Sequence, residues 1–401
     1  MNLTWIWQSS MQGMWRSLLC LILLMVLTGC TLPRVSAEDR LFLPLQIELV
    51  DVATLPRQTF AETPVGGLSA ITYDPARNVF YALSDDRGRL ASPRFYTLQM
   101  AIGNSSENLT IQPIQVTDVT FLRDAEGNVY PSDRLDPEGM VLSPRASLFV
   151  SSEGVAETGS PPSLNEYDLQ SGVLKTEFRL PERYLPNEAS DTPSPEAANT
   201  PQGIRTNQGF EALTLSPTSS SGEFEPFRLF MATESALAQD FDEDPANPLT
   251  NRFLHYLIDP NQSTLISEHA YPLSLEPMGA VSNGLTELLT IDQGGHFLAL
   301  ERVYGIRGFE IKLFQLATGG ATDISTLNRI TSLESINPIR KQLLLDFATL
   351  DAPVEAIDNL EGMTLGPPLA DGSASLWVIS DDNFSEDQTT QVWLFRLIEA
   401  R

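Results

Sequence analysis

Acidic side chains recur at matched places along this chain. Glu138, Glu211, Glu287 and Glu361 open short apolar runs, and Ser69 stands at the corresponding place in a first copy. A second set closes the runs that follow: Asp85 and Asp86, Glu153, Glu234, Glu301, and Asp381 and Asp382. On neighbouring antiparallel strands, the start of one strand stands beside the end of the next. Both sets are therefore expected at one face, as a ring of carboxylates. Anions at close range raise each other's pKa unless positive charge sits among them. Hard oxygen donors in excess suit calcium, which takes about six to eight oxygens, with magnesium second. The expected metal ligands are Glu138, Glu153, Glu211, Glu234, Glu287 and Glu361.

Three cations lie close in sequence to this set: Arg87, Arg302 and Arg307. They could neutralise the ring from within, or grip a phosphate through two parallel hydrogen bonds. A glutamate repeated in every unit can equally be architecture, accepting backbone N–H groups of the next unit. The departures from the repeat, Asp85-Asp86-Arg87 and Asp381-Asp382-Asn383, are better candidates for chemistry. Asp85, Asp86, Arg87, Asp381 and Asp382, with Glu301 and Arg302, make up the candidate catalytic group.

Other chemistries find little in the chain. The 401 residues hold 25 Lys and Arg against 52 Asp and Glu, a formal charge of -27, which opposes binding to nucleic acid. Two cysteines build neither a disulfide scaffold nor a cysteine-rich zinc site. No G-x-S-x-G elbow exists, since GLSAI at 67–71 fails at the last glycine. His255 and His269 fall on alternating strands, where a structural role is expected, and His296 follows Gly294-Gly295 in a turn. The run Asp240-Phe241-Asp242-Glu243-Asp244 has the alternating carboxylates of a calcium loop. Pro245 at the sixth place and Asn251 at the twelfth exclude an EF-hand but leave open a calcium site of another kind.

The elements that must position these residues show in a repeat. Its copies are GLSAITYDPARNVFYALSDDR at 67–87, DPEGMVLSPRASLFVSSEG at 136–154, and GFEALTLSP at 209–217 resuming as FRLFMATES at 227–235. The fourth is GLTELLTIDQGGHFLALER at 284–302, and the fifth NLEGMTLGPPLADGSASLWVISDDN at 359–383. Their starts lie about 70 to 75 residues apart. Two further alternating strands follow in each unit, at 94–100 and 109–121 in the first, so each unit reads as a four-stranded blade. The fifth unit stops one strand short, at 391–400, and the missing strand is available at 41–52. Closing the last blade with that N-terminal strand would pair both edges. The expected fold is an all-β, five-bladed β-propeller. A sixth, degenerate blade is the alternative, and a linear β-solenoid fits less well. The stretches 186–203 and 238–251 lie outside the repeat and read as surface loops.

At the N-terminus, SLLCLILLMVLT at 17–28 follows Arg16. It is too short to span a bilayer and suits the core of a signal peptide. It runs into Leu27-Thr28-Gly29-Cys30, which resembles the lipobox of bacterial lipoproteins, although the segment before it carries one Arg and no Lys. An ordinary signal peptide or an anchor helix is the alternative. The lipoprotein reading makes 1–29 a leader, Cys30 the lipidated residue, 30–40 a tether and 41–401 the domain. It implies an exported protein anchored to a membrane.

The segments Asp136-Pro137-Glu138-Gly139-Met140, Gly209-Phe210-Glu211-Ala212-Leu213 and Asn359-Leu360-Glu361-Gly362-Met363 together resemble the phytase-like family, described as having esterase-like activity of phytase. The strand ends Thr233-Glu234-Ser235, Leu300-Glu301-Arg302 and Ser380-Asp381-Asp382 add to the resemblance, which spans roughly 66–397. It implies a relation to β-propeller phytases, which use calcium to hydrolyse phosphate monoesters. The implied substrate is a small phosphate ester or related ester. Non-catalytic binding and a calcium-stabilised scaffold are the rival readings, because fold alone does not imply function.

Overall fold

The computed structural model describes residues 41–104, 109–187, 201–216, 225–242, 249–259, 262–273, 280–306 and 308–399. Cys30, Arg307, Glu243 and Asp244 lie outside them, as does most of the loop at 186–203. Five four-stranded antiparallel sheets are present among the described residues. Blade 1 runs Leu68–Asp74, Val79–Ser84, Arg94–Gln99 and Gln115–Phe121. Blade 2 is Pro137–Leu142, Ser147–Ser152, Ser163–Asp168 and Leu174–Phe178. Blade 3 is Phe210–Leu215, Phe227–Thr233, Leu249–Ile258 and Ser263–Leu273, and blade 4 is Ala280–Thr290, His296–Gly305, Gly308–Ala317 and Arg340–Asp346. Blade 5 joins Asn359–Leu365, Ala374–Asp381 and Thr390–Glu399 to the N-terminal strand Leu45–Leu55.

The first strands of the five blades contact one another in cyclic order, with blade 5 against blade 1, so the ring is closed. This is a five-bladed β-propeller, and the described residues contain no sixth blade. Closure comes from the N-terminal strand, which pairs from Leu45 opposite Glu399 to Leu55 opposite Thr390. It covers the edge of Thr390–Glu399 and becomes the outermost strand of the last blade. One expected strand differs. The run 109–121 splits into Leu109–Ile111, paired with Ile102–Asn104, and Gln115–Phe121. Pro113 stands at the break, where the missing N–H ends the ladder.

Each blade is apolar on both faces because it packs on two neighbours, and aromatic pairs hold successive blades together. Phe149 meets Phe227 between blades 2 and 3, Phe230 meets Phe297 between 3 and 4, and Phe80 meets Trp377 between 5 and 1. Leu298, Leu300, Leu376 and Val378, all fully buried, fill the layer between blades 4 and 5. Burying each such side chain contributes about 1.5–3 kcal/mol.

One irregularity recurs in all five first strands. Their pairing with the second strand slips between Leu68 and Ala70, Pro137 and Met140, Phe210 and Ala212, Leu285 and Glu287, and Leu360 and Gly362. A bulge of this kind re-aims one side chain out of the sheet's alternation. The strands also run close together here. A Cβ on Gly139 would lie 2.0 Å from the Glu211 carbonyl oxygen, and one on Gly362 2.9 Å from the Ala70 Cα.

Candidate functional site

The bulges decide which side chains share a position. Lined up on them, the bulged residues are Ser69, Glu138, Glu211, Thr286 and Glu361. Blade 4 therefore contributes Thr286, and Glu287 falls one place further on, level with Ala70, Gly139, Ala212 and Gly362. The second strands obey the same count. Ser84, Ser152, Thr233, Glu301 and Ser380 stand opposite the residue before the bulge. The next residue in each is Asp85, Glu153, Glu234, Arg302 and Asp381. Blade 4 thus presents an arginine where the other four present a carboxylate.

These positions, with Asp136 and Asn359 at the start of their strands, form one cluster. Asp136, Glu138 and Glu153 can bring one carboxylate oxygen each within 4.8 Å of the others, and so can Glu153, Glu211 and Glu234. Glu153 belongs to both groups and accepts a hydrogen bond from the Gly209 backbone N–H. Arg302 donates from Nη2 to Glu234 at 2.7 Å and from Nη1 to Asn359 Oδ1 at 3.0 Å, and its Nη1 lies 3.2 Å from Glu361. The Asn359 amide donates to the same Glu361 oxygen at 2.9 Å. Arg87 pairs with Asp136 at 2.6 Å. Glycine is required where the chain passes closest to the acids. A Cβ at Gly284 would lie 2.2 Å from Glu234 Oε1, and one at Gly67, where φ is +60°, 2.2 Å from Asp85 Oδ1.

Eight carboxyl groups (Asp85, Asp136, Glu138, Glu153, Glu211, Glu234, Glu361, Asp381) face two guanidiniums, Arg87 and Arg302. Burial pushes Asp85, Glu138, Glu153, Glu211 and Asp381 well above the usual carboxylate range, and neighbouring carboxylates add to the effect. Burial also raises Asp136, where Arg87 works against it, and raises Glu234 and Glu361, where Arg302 works against it. Asp85, Glu138 and Glu211 keep some exposed surface although protein surrounds them. That combination describes the wall of a narrow opening rather than a sealed core. Two buried oxygens, Asp85 Oδ1 and Glu211 Oε2, have no hydrogen-bond donor among the described residues. A buried carboxylate oxygen without a donor is costly unless a proton or a cation reaches it. The donor set is all oxygen, which fits a hard divalent ion.

Four residues expected in the ring are placed elsewhere. Glu287 accepts from the backbone N–H groups of Leu213 at 3.1 Å and Leu288 at 2.9 Å, so it ties blade 4 to blade 3. Glu301 is level with residues that point away from the cluster, and it meets Tyr271 Oη and Lys341 Nζ, each at 2.5 Å. Asp86 pairs with buried Arg94 at 2.9 Å and accepts from the backbone of Arg89, Leu90 and Ala91. Burial opposes it, but these donors together hold its carboxyl below the ordinary value. Asp382 accepts from the Gly67 N–H at 2.8 Å and the Phe384 N–H at 3.1 Å, a closure contact between blades 5 and 1. Asp240 is likewise committed, to fully buried Arg252 at 2.6 Å. Asp136 and Asn359 were missed. Their signal was a polar residue where three copies have Gly67, Gly209 and Gly284.

A propeller whose central strands raise a cluster of carboxylates at one mouth is the class of protein this architecture defines. The family described as phytase-like, esterase-like activity of phytase, matches residues 63–384, and the chain belongs to it. Among curated proteins none matches the sequence. Solved structures align over most of the chain at low identity. A GH62 hydrolase in complex with xylotriose is 8% identical with a TM-score of 0.42, over 87% of this chain and 96% of that one. The catalytic domain of the Coprinopsis cinerea GH62 alpha-L-arabinofuranosidase is 9% identical with a TM-score of 0.39, over 89% and 98%. The Dos1 propeller is 8% identical with a TM-score of 0.32, over 83% and 68%. Likeness at these scores carries no argument about chemistry.

Proposed function

We propose that the carboxylate cluster binds calcium and that the protein hydrolyses phosphate or related esters there. The carrying observation is the pair of three-carboxylate groups sharing Glu153, with an undonated oxygen on Glu211 beside them. Asp136, Glu138 and Glu153 would hold one ion, and Glu153, Glu211 and Glu234 a second or alternative one. Bound calcium supplies positive charge and a Lewis-acid centre for the substrate's anionic oxygens. Without such charge, an anionic ester has little reason to approach a chain of formal charge -27.

The protein's own groups do the rest. Arg302 and Asn359 fix Glu234 and Glu361 in place, and Arg87 fixes Asp136. Asp85, raised by burial and by Glu361, Asp136, Asp86 and Asp382, holds a proton more tightly than an ordinary carboxyl and is the group suited to give one to a leaving oxygen. The leader reading places this activity outside the cytoplasm, on a membrane-anchored protein lipidated at Cys30.

A second reading, in which the acids serve only as scaffold, is favoured by Glu287 and Asp382, which do accept backbone N–H groups. It leaves Asp85 Oδ1 and Glu211 Oε2 unexplained. The test is turnover of a chromogenic phosphate monoester and a carboxylic ester, with calcium and with chelator. Calcium-dependent phosphate release that disappears in Glu153→Gln and Asp85→Asn supports the hydrolase. No turnover of either ester, with calcium still raising the melting temperature, supports the scaffold.

A further inference from the structure

Blade 4 rises above the others. In the other blades the pairing of first and second strands ends at the residue before the bulge, or one pair beyond it in blade 5. In blade 4 it continues for four more pairs, from Gly284 opposite Arg302 to Ala280 opposite Gly305. The third strand follows, with Phe309 opposite Tyr304 and Gly308 opposite Gly305, while the fourth reaches only Lys312. A three-stranded lip therefore stands about 10 Å beyond Arg302 at the mouth, at about 3.4 Å per residue. Its end is apolar. Val281 is 74% exposed, Tyr304 45% and Ile306 91%. Ile306 sits at the hairpin turn, where Gly, Asn or Asp is usual. None of the three packs into the propeller's core. Tyr304 lies two residues from Arg302 and so on the same face of the strand, with its ring 5.1 Å from that of Phe309. Leu90 and Phe241, also exposed, stand in the loops after the second strands of blades 1 and 3, at the same end of the ring.

We propose that this lip is a membrane-contacting tip, which inserts Ile306 and Val281 into the apolar edge of a zwitterionic lipid surface. The tip is convex, so it encloses no small ligand. Exposed aliphatic side chains at an extremity, with a tyrosine one pleat behind them, match the depth order of a bilayer interface: aliphatic groups among the chains, the amphipathic ring at the headgroups. Charge selects the headgroup. A protein of formal charge -27 is repelled by anionic lipid, so apolar contact with a neutral surface has to carry the binding. The lipid-anchor reading agrees in reach. About fifteen residues from Cys30 to Leu45 extend to about 50 Å, longer than the eleven-residue strand Leu45–Leu55. The same contact turns the carboxylate mouth toward the headgroups. The inference stands apart from the hydrolase reading, because it concerns binding and not turnover.

The experiment uses the chain from Thr31. It keeps all five blades and the closing strand, which lie within Leu45–Glu399, and lacks the apolar run at 17–28 and both cysteines. Binding to phosphatidylcholine vesicles is measured by co-sedimentation in chelator. Val281→Ser combined with Ile306→Ser is expected to weaken it about tenfold or more, with an unchanged melting temperature because both side chains are exposed. Replacing about a third of the lipid by phosphatidylserine is expected to weaken the parent's binding. A nitrobenzoxadiazole label on Ile306→Cys should shift to shorter wavelength when vesicles are added. The same label on Ala370→Cys, in the turn between Leu365 and Ala374 at the far end of the ring, should not shift. No vesicle binding by the parent, or equal binding by the double variant, overturns the proposal, as does a shift at Ala370 alone. A concentration-dependent dimer in sedimentation velocity that the double variant loses, without vesicle binding, also overturns it and assigns the tip to a second copy.

Discussion

Replacing Glu153 with Gln should reverse its effect on stability according to whether calcium is present. Glu153 is 7% exposed, and its carboxyl is pushed up by burial, by Glu234 and by Asp136. Glutamine keeps a carbonyl oxygen to accept the Gly209 N–H but carries no charge. In chelator at neutral pH the variant escapes the work of ionising a buried acid among acids. A tenfold change in proton affinity is about 1.4 kcal/mol, so the gain should be on the order of 1 kcal/mol. With calcium at a hundred times its dissociation constant, the parent gains about 2.7 kcal/mol. A variant that binds about a hundredfold more weakly gains only about 0.4 kcal/mol at the same concentration. The variant should therefore be the more stable form in chelator and the less stable form in calcium. Denaturant unfolding in both conditions at pH 7.5 measures this, with melting temperatures expected to move about 1–2 °C per kcal/mol at this size. If the variant is destabilised in chelator and the parent gains nothing from calcium, Glu153 is scaffold and the metal reasoning fails.

Metal-free stability should fall as pH rises from about 5 to 8. The folded-state pKa values of Asp85, Glu138, Glu153, Glu211 and Asp381 lie above their unfolded values. Their contribution is thus full below the ordinary carboxylate range and lost as pH climbs through the raised values. A chelator-treated protein equally stable at both ends of that window would contradict the sign. Arg302→Met strips Glu234 and Glu361 of their shared counter-ion and should cost about 3–5 kcal/mol, read as a lower denaturant midpoint; adding Glu234→Gln should recover part of it. Gly284→Ala puts a methyl group against Glu234 Oε1 and should destabilise by about 1–3 kcal/mol, whereas Gly372→Ala, with no atom within 4 Å of its Cβ, relieves no such contact and tests only the strain of φ +84°. Removing the strand Leu45–Leu55 exposes the edge of Thr390–Glu399 and should produce concentration-dependent aggregation, seen by light scattering.

Much of the fold was legible in the residues. Runs such as LFVSS and SLWVIS, followed by Glu153 and Asp381, recur often enough to define five units, and the unit short of a strand pointed to the spare one near Leu45. Part of the cluster was legible too, since Glu138, Glu153, Glu211, Glu234 and Glu361 do come together with Arg302. Asp86 and Asp382 fall one residue beyond the position that enters the cluster, and the other two errors fell in blade 4. Glu287 and Glu301 match the acids of other copies when letters are aligned, yet both belong to contacts outside the cluster.

The composition and period of the chain by themselves determined a closed ring of blades, an excess of oxygen donors over cations, and which strand ends carry them. Those properties depend on residue types and on an alternation that any extended strand must obey. Only the tertiary structure decided which side chain of each acidic run enters the opening. A strand alternates with a period of two, so a single bulged residue sends its neighbours to opposite sides. The place of that bulge is set by hydrogen bonds to the adjoining strand, between Leu285 and Glu287 in blade 4, and that choice exchanged a carboxylate for Arg302.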